Sequence, residues 1–189
     1  MKSDDANNLS GHLLIAMPKM EDPNFAKTVT YICEHSDQGT LGLVINQPLD
    51  INLGEVFTQL ELNDCDQEVS SRPVLHGGPV YMERGFVIHD AEDRWENSTE
   101  TSDSIQVTTS RDILIAMASG HGPKRATVAL GYAGWGAGQL EHEILANSWL
   151  NTPASTQIIF DTPFEDRWQH AAQLLGIDLS TISSEAGHA

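Results

Sequence analysis

Residues 28–46 constrain the fold more than any other stretch. Two β-rich runs, Thr28 to His35 and Thr40 to Asn46, flank Ser36-Asp37-Gln38-Gly39. Polar residues and a glycine between two such runs predict a hairpin with a four-residue loop.

The rest of the chain supplies elements of both kinds. His12 to Ala16 reads as a buried strand ended by Met17-Pro18. Val74-Leu75-His76 and Gly85 to His89 read as short strands on either side of Gly77-Gly78-Pro79, and Ile105 to Thr109, Ala126 to Tyr132 and Gln157 to Phe160 as three more. Asn52 and Glu55 have the spacing of a capping box, with Ile51 and Val56 placed as a hydrophobic staple, so an amphipathic helix is predicted over Leu53 to Leu62. Ser110 is placed to cap Arg111 to Ala118, and Gln139 to Ser148 reads as a third helix. Thr162-Pro163-Phe164-Glu165 places a cap, a proline at N1 and a glutamate at N3. The helix it opens turns Phe164, Trp168, Ala171 and Leu175 to one side and meets a stop at Gly176.

Between these elements, Glu61 to Ser71 reads as an acidic loop and Asp90 to Asp103 as a mobile surface excursion. No repeat or composition shift marks a second domain in the 189 residues. The expected layout is a flexible N-terminus over 1–10, one domain over 11–179 and a flexible polar tail over 180–189. Strands arranged as hairpins and also separated by helices predict an α+β class with a mixed sheet and flanking helices.

Charge limits the functional classes. Ten Lys and Arg stand against 27 Asp and Glu, a formal net charge of −17. Nucleic-acid binders draw affinity from cations that neutralise phosphates, and the only adjacent basic pair is Lys124-Arg125, so direct nucleic-acid binding is disfavoured. The polar, acidic first residues lack an apolar signal core, and the longest apolar stretch, Ile113 to Ala118, is far shorter than a membrane span. A cytoplasmic protein with no membrane partner is expected.

Reactive motifs fail one by one. Cys33 and Cys65 form no C-x-x-C pair, so no zinc framework can be written. His142-Glu143-Ile144-Leu145-Ala146 begins like H-E-x-x-H but has alanine where the second histidine belongs. Glu141 on the same helix is expected in solvent, and Glu143 either in solvent or facing a pocket. Cys33 and His35 lie two apart on a strand, yet a buried cysteine beside an edge histidine is favoured over a nucleophilic pair. No metal site and no catalytic set emerges.

One ligand-site candidate is left. Gly131-Tyr132-Ala133-Gly134-Trp135-Gly136-Ala137-Gly138-Gln139 follows a strand and opens a helix, the setting in which backbone N–H groups cradle an anion. Gln139 stands where G-x-G-x-x-G needs its third glycine, so the motif is incomplete. The alternative is that these glycines serve turns and close packing. The candidate ligand-binding set is Asn46, His76, Gly77, Gly78, Gly134, Trp135, Gly136, Gln139 and Glu143.

Gly11 to Pro18, Gly42 to Pro48, Gly77 to Val80, Gly85 to His89, and Gly131 to Trp135 with Gly138 to Glu141 together resemble the AlgH/YqgE family in order and spacing, and the likeness runs from Gly11 to Gly176. The resemblance implies an α+β fold with a mixed, partly barrel-like sheet in a bacterial cytosolic protein. It also implies a genetic link to the regulation of alginate production, and it brings no reaction, cofactor or agreed active site. The reading that results is a non-enzymatic regulatory protein acting indirectly, through an unknown protein or small-molecule partner. The alternatives are an enzyme or sensor that binds a small anionic or nucleotide-like ligand at Gly131–Gln139, and a direct DNA-binding regulator, which the charge disfavours.

Overall fold

The computed structural model describes residues 7–185. Its strands are β1 (His12–Ala16), β2 (Val29–Ser36), β3 (Gly39–Val44), β4 (Pro48–Asn52), β5 (Pro73–His76), β6 (Val80–Asp90), β7 (Ser98–Glu100), β8 (Ile105–Thr108), β9 (Ala126–Gly136) and β10 (Trp149–Pro153). Its helices are α1 (Leu53–Gln59), α2 (Gln67–Ser70), α3 (Arg111–Ala118), α4 (Gln139–Leu145), α5 (Arg167–Gln173) and α6 (Leu179–Glu185).

The strands form one curled sheet in the order β10-β1-β2-β3-β9-β6-β8-β7, with β5 joining β4 to β9. Every pairing is antiparallel except β5 with β9. The class is α+β, with a half-barrel sheet and several helices. β9 is its spine: on one side it pairs with β6, and on the other with β5 along Ala129–Leu130 and with β3 along Ala133–Gly136.

Strand alternation sends neighbouring residues into different cores. Leu13 and Ile15 of β1 join Tyr31, Leu43 and Ile88 under α5 and α6, whereas Leu14 and Ala16 join Ile32, Trp135 and Trp149 under α4. A third core sets Val74, Val87 and Val128 against Leu53 and Phe57 of α1 and Ile113 and Met117 of α3. No helix among the described residues is long and apolar enough to cross a membrane.

Several local expectations change. Ser36 pairs with Gly39, so the hairpin turns on two residues instead of four. The capping box forms as expected, with Glu55 N–H on Asn52 Oδ1 and Asn52 N–H on Glu55 Oε2, but α1 ends at Gln59. The acidic loop contains α2, capped by Asp66, and the expected mobile excursion contains β7, held to β8. Gln157–Asp161 is a π-helical turn instead of a strand. Thr162 is extended and closes the π-helical turn instead of opening a helix; Phe164–Asp166 forms a 3-10 turn before α5, and Leu175 is 40% exposed. β4 and β10 are strands where none was expected. The flexible ends expected over 1–10 and 180–189 lie partly outside the described residues. In the described parts, Leu9 N–H donates to His35 Nδ1, and residues 180–185 continue α6 from buried Leu179.

Candidate functional site

The expected ligand set separates into two groups. Trp135, Gly136, Gln139 and Glu143 come together where β9 meets α4. Glu143 Oε2 accepts from Trp135 Nε1 and from Trp149 Nε1, each at 2.9 Å, and its Oε1 accepts from Gln139 Nε2 at 3.2 Å. Gln139 Oε1 in turn accepts from Gly136 N–H at 3.0 Å. Phe25 closes the group, stacked on Trp135 and edge-on to Trp149. The side-chain polar atoms of this set therefore serve one another, and Glu143 is an acceptor for two buried indoles.

The anion cradle expected at Gly131–Gln139 does not form, because the strand continues through the glycines. Leu41, Thr40 and Gly39 of β3 pair with Gly134, Trp135 and Gly136, so the backbone there belongs to a ladder. Gly131 and Gly138 have positive φ, +77° and +74°, and Gly138 turns the chain into α4. Sequence gave no sign of this, since the partner strand lies about ninety residues away.

Asn46, His76, Gly77 and Gly78 form the other group. Asn46 Oδ1 accepts from Val29 N–H and its Nδ2 donates to the Lys27 carbonyl, which fastens the end of β3 to the start of β2. His76 lies opposite Leu130 of β9, four residues before Gly134 and so roughly 13 Å of strand away. Gly77 N–H donates to Leu130 O and its own carbonyl accepts from Val44 N–H. A Cβ on Gly78 would lie 2.1 Å from the Tyr132 carbonyl carbon, so this glycine exists for close packing.

The remaining sequence candidates are also engaged. Glu141, expected in solvent, accepts from His35 Nε2 at 2.6 Å; its own main-chain N–H and then the imidazole hold its carboxyl below the usual range. Cys33 points into the same core as Tyr31 two residues earlier, where burial pushes its thiol well up and leaves it protonated.

A concave site does exist, elsewhere. A cleft of about 290 Å³ is lined by Arg72, Lys124, Arg125 and Arg167. These are four of the ten cationic residues in a chain of net charge −17, and Asp161 is the one acid in the lining. The four cations come from three structural features. Arg72 links α2 to β5. Lys124 and Arg125 lead into β9, where Arg125 is registered by its main-chain bonds with Asp90. Arg167 opens α5, and the π-helical turn brings Phe160 and Asp161 to the rim.

Arg167 differs from the others in being only 3% exposed. Its Nε donates to Thr162 O at 2.9 Å, its Nη1 to Ile45 O at 2.5 Å, and its guanidinium lies 4.5 Å over the Phe164 ring. Among the described residues no carboxylate comes within 4.0 Å of it, and Nη2 has no protein acceptor. Burial pulls its pKa down to about 10, with Asp161 opposing the shift, so it is still a cation at neutral pH. Arg125 and Lys124 are more exposed, in loose pairs of 3.6 Å with Asp161 and 3.4 Å with Glu92. Such pairs exchange partners at little cost.

A curled α+β half-barrel with a basic cleft on an acidic body is thus the class that fold and site define. The AlgH-like family model matches residues 13–180, and the chain belongs to that family. A UPF0301 protein of Thioalkalivibrio sulfidiphilus is 55% identical over 97% of this chain and 98% of its own length, and one of Nitrosococcus oceani is 51% identical over 94% and 95%. The solution structure of AlgH from Pseudomonas aeruginosa is similar over all of both chains, with 46% identity and a TM-score of 0.80. A Corynebacterium diphtheriae protein at 22% identity shares the fold, with a TM-score of 0.70 over 88% of this chain and 86% of its own.

Proposed function

We propose that this chain is a cytosolic regulatory binding protein whose partner is a small anionic molecule, and that any effect on transcription, such as control of alginate production, is indirect. The observation that carries this reading is the cleft that gathers Arg72, Lys124, Arg125 and Arg167 on an otherwise strongly acidic chain. Its lining offers binding groups: three guanidinium groups, one ammonium and the Phe160 and Phe164 rings. The size of the cleft lies at the small end of ligand pockets, which favours a metabolite over a nucleic-acid strand.

The test is to titrate the small-molecule fraction of a bacterial extract into the isotopically labelled protein while following both amide shifts and metabolite levels. Saturable shifts centred on Arg125 to Val128, with metabolites depleted only stoichiometrically, support the reading. Continuing consumption of a metabolite, or shifts that avoid the cleft, contradicts it.

A further inference from the structure

Resting on the reading of the cleft as an anion site, we infer that its ligand carries a phosphate group, held by Arg167 at the floor and by Arg125 and Lys124 at the rim. The pairing geometry favours phosphate over carboxylate. Arg72, Lys124 and Arg125 sit 3.6, 3.4 and 3.6 Å from Glu68, Glu92 and Asp161, loose pairs that a stronger anion can take over, and Arg167 has no carboxylate partner among the described residues. A phosphate monoester brings about −1.5 to −2 at neutral pH and three acceptor oxygens.

The floor is already prepared for it. Two of the three guanidinium nitrogens of Arg167 are fixed on the carbonyls of Thr162 and Ile45, so the side chain cannot swing out to find a partner. A buried cation without a carboxylate is costly unless an anion reaches it. The planar guanidinium presents its N–H groups in a geometry that matches phosphate oxygens. Phe160 and Phe164 add an apolar wall against which the organic part of a phosphoester would lie.

Free phosphate and a phosphomonoester share this chemistry, and the experiment separates them. Calorimetric titrations of the full chain with inorganic phosphate, AMP and adenosine are compared at one ionic strength, alongside a short DNA duplex. AMP is expected to bind saturably at one site per chain and adenosine not to bind. AMP binding more tightly than inorganic phosphate identifies a phosphoester site, and equal affinities identify a phosphate site. Lys124→Ala with Arg125→Ala, at side chains 81% and 48% exposed, should weaken AMP at least about tenfold while the melting temperature without ligand is unchanged. Arg167→Gln should abolish binding in whatever fraction folds.

The inference is overturned if neither phosphate nor AMP saturates, if the double variant binds AMP as the parent does, or if the duplex binds more tightly than AMP. Should the phosphate probes fail while an extract component still shifts the cleft amides, the ligand class is wrong and the binding reading stands. Should both fail, the cleft is not a ligand site.

Discussion

Arg167 Nη1 donates a 2.5 Å hydrogen bond to the carbonyl oxygen of Ile45, a residue 122 positions earlier in the chain. This bond ties the first turn of α5 to the end of β3 and holds a buried positive charge at the floor of the basic cleft. The same side chain therefore serves both stability and the proposed binding function.

Arg167→Lys keeps the charge but replaces a planar fork with a single ammonium, which cannot serve the Thr162 and Ile45 carbonyls in the same geometry. Urea denaturation should show a loss of about 1–3 kcal/mol. An unchanged midpoint would mean that the two carbonyl bonds contribute nothing net.

Glu143→Ala leaves the indole N–H groups of Trp135 and Trp149 without their acceptor, at residues only 6% and 2% exposed. The expected cost is about 2–5 kcal/mol, from two unsatisfied buried donors. Glu143→Gln, which retains one acceptor oxygen, should cost less. Equal losses for the two variants would show that packing, and not the shared acceptor, holds the indoles.

Two glycines in the expected ligand set should respond oppositely to alanine. Gly78→Ala places a methyl 2.1 Å from the Tyr132 carbonyl carbon and should prevent stable folding, whereas the added methyl of Gly134→Ala finds its nearest neighbour at 3.6 Å and should be tolerated. Soluble yield and melting temperature decide between them. A stable Gly78→Ala protein would contradict the close packing at that site.

His89 is fully buried, with Thr108 Oγ1 at 2.7 Å from Nε2 and the Asp90 carbonyl at 2.7 Å from Nδ1. Burial lowers its pKa below 6.5, opposed by Asp90. The unfolded chain therefore takes up the proton first as pH falls. The contribution of neutral His89 is complete above about pH 6.5 and is lost below it, at up to about 1.4 kcal/mol per pH unit. Unfolding free energies between about pH 7 and 5.5 should fall in the parent and fall less in His89→Gln. Identical slopes would assign the loss to other groups.

Much of the fold is legible in the residues, because its strongest signals are local. The hairpin shows in two β-rich runs around a turn, and α1 shows in the Asn52 and Glu55 capping box. What is hidden depends on distant partners. The apolar run Gln157 to Phe160 has the composition of a strand but no strand beside it, and periodicity alone cannot separate a short strand from a buried helical turn. Gly134 to Gly136 looks like a loop until β3 pairs with it. β4 is an edge strand of alternating exposure that holds β5 through only two paired positions. The basic cleft draws Arg72, Lys124, Arg125 and Arg167 from three well-separated segments, and its one trace in the sequence is the adjacent pair Lys124-Arg125.

A ligand that binds only the folded chain raises its melting temperature, and above Kd the rise grows with the logarithm of ligand concentration. The most direct measurement of anion binding in the cleft is therefore thermal unfolding with increasing AMP, in the parent and in the Lys124→Ala, Arg125→Ala double variant. The predicted result is a melting temperature that climbs with AMP in the parent and stays flat in the variant. An equal climb in both, or none in the parent, would contradict a binding role for the cleft.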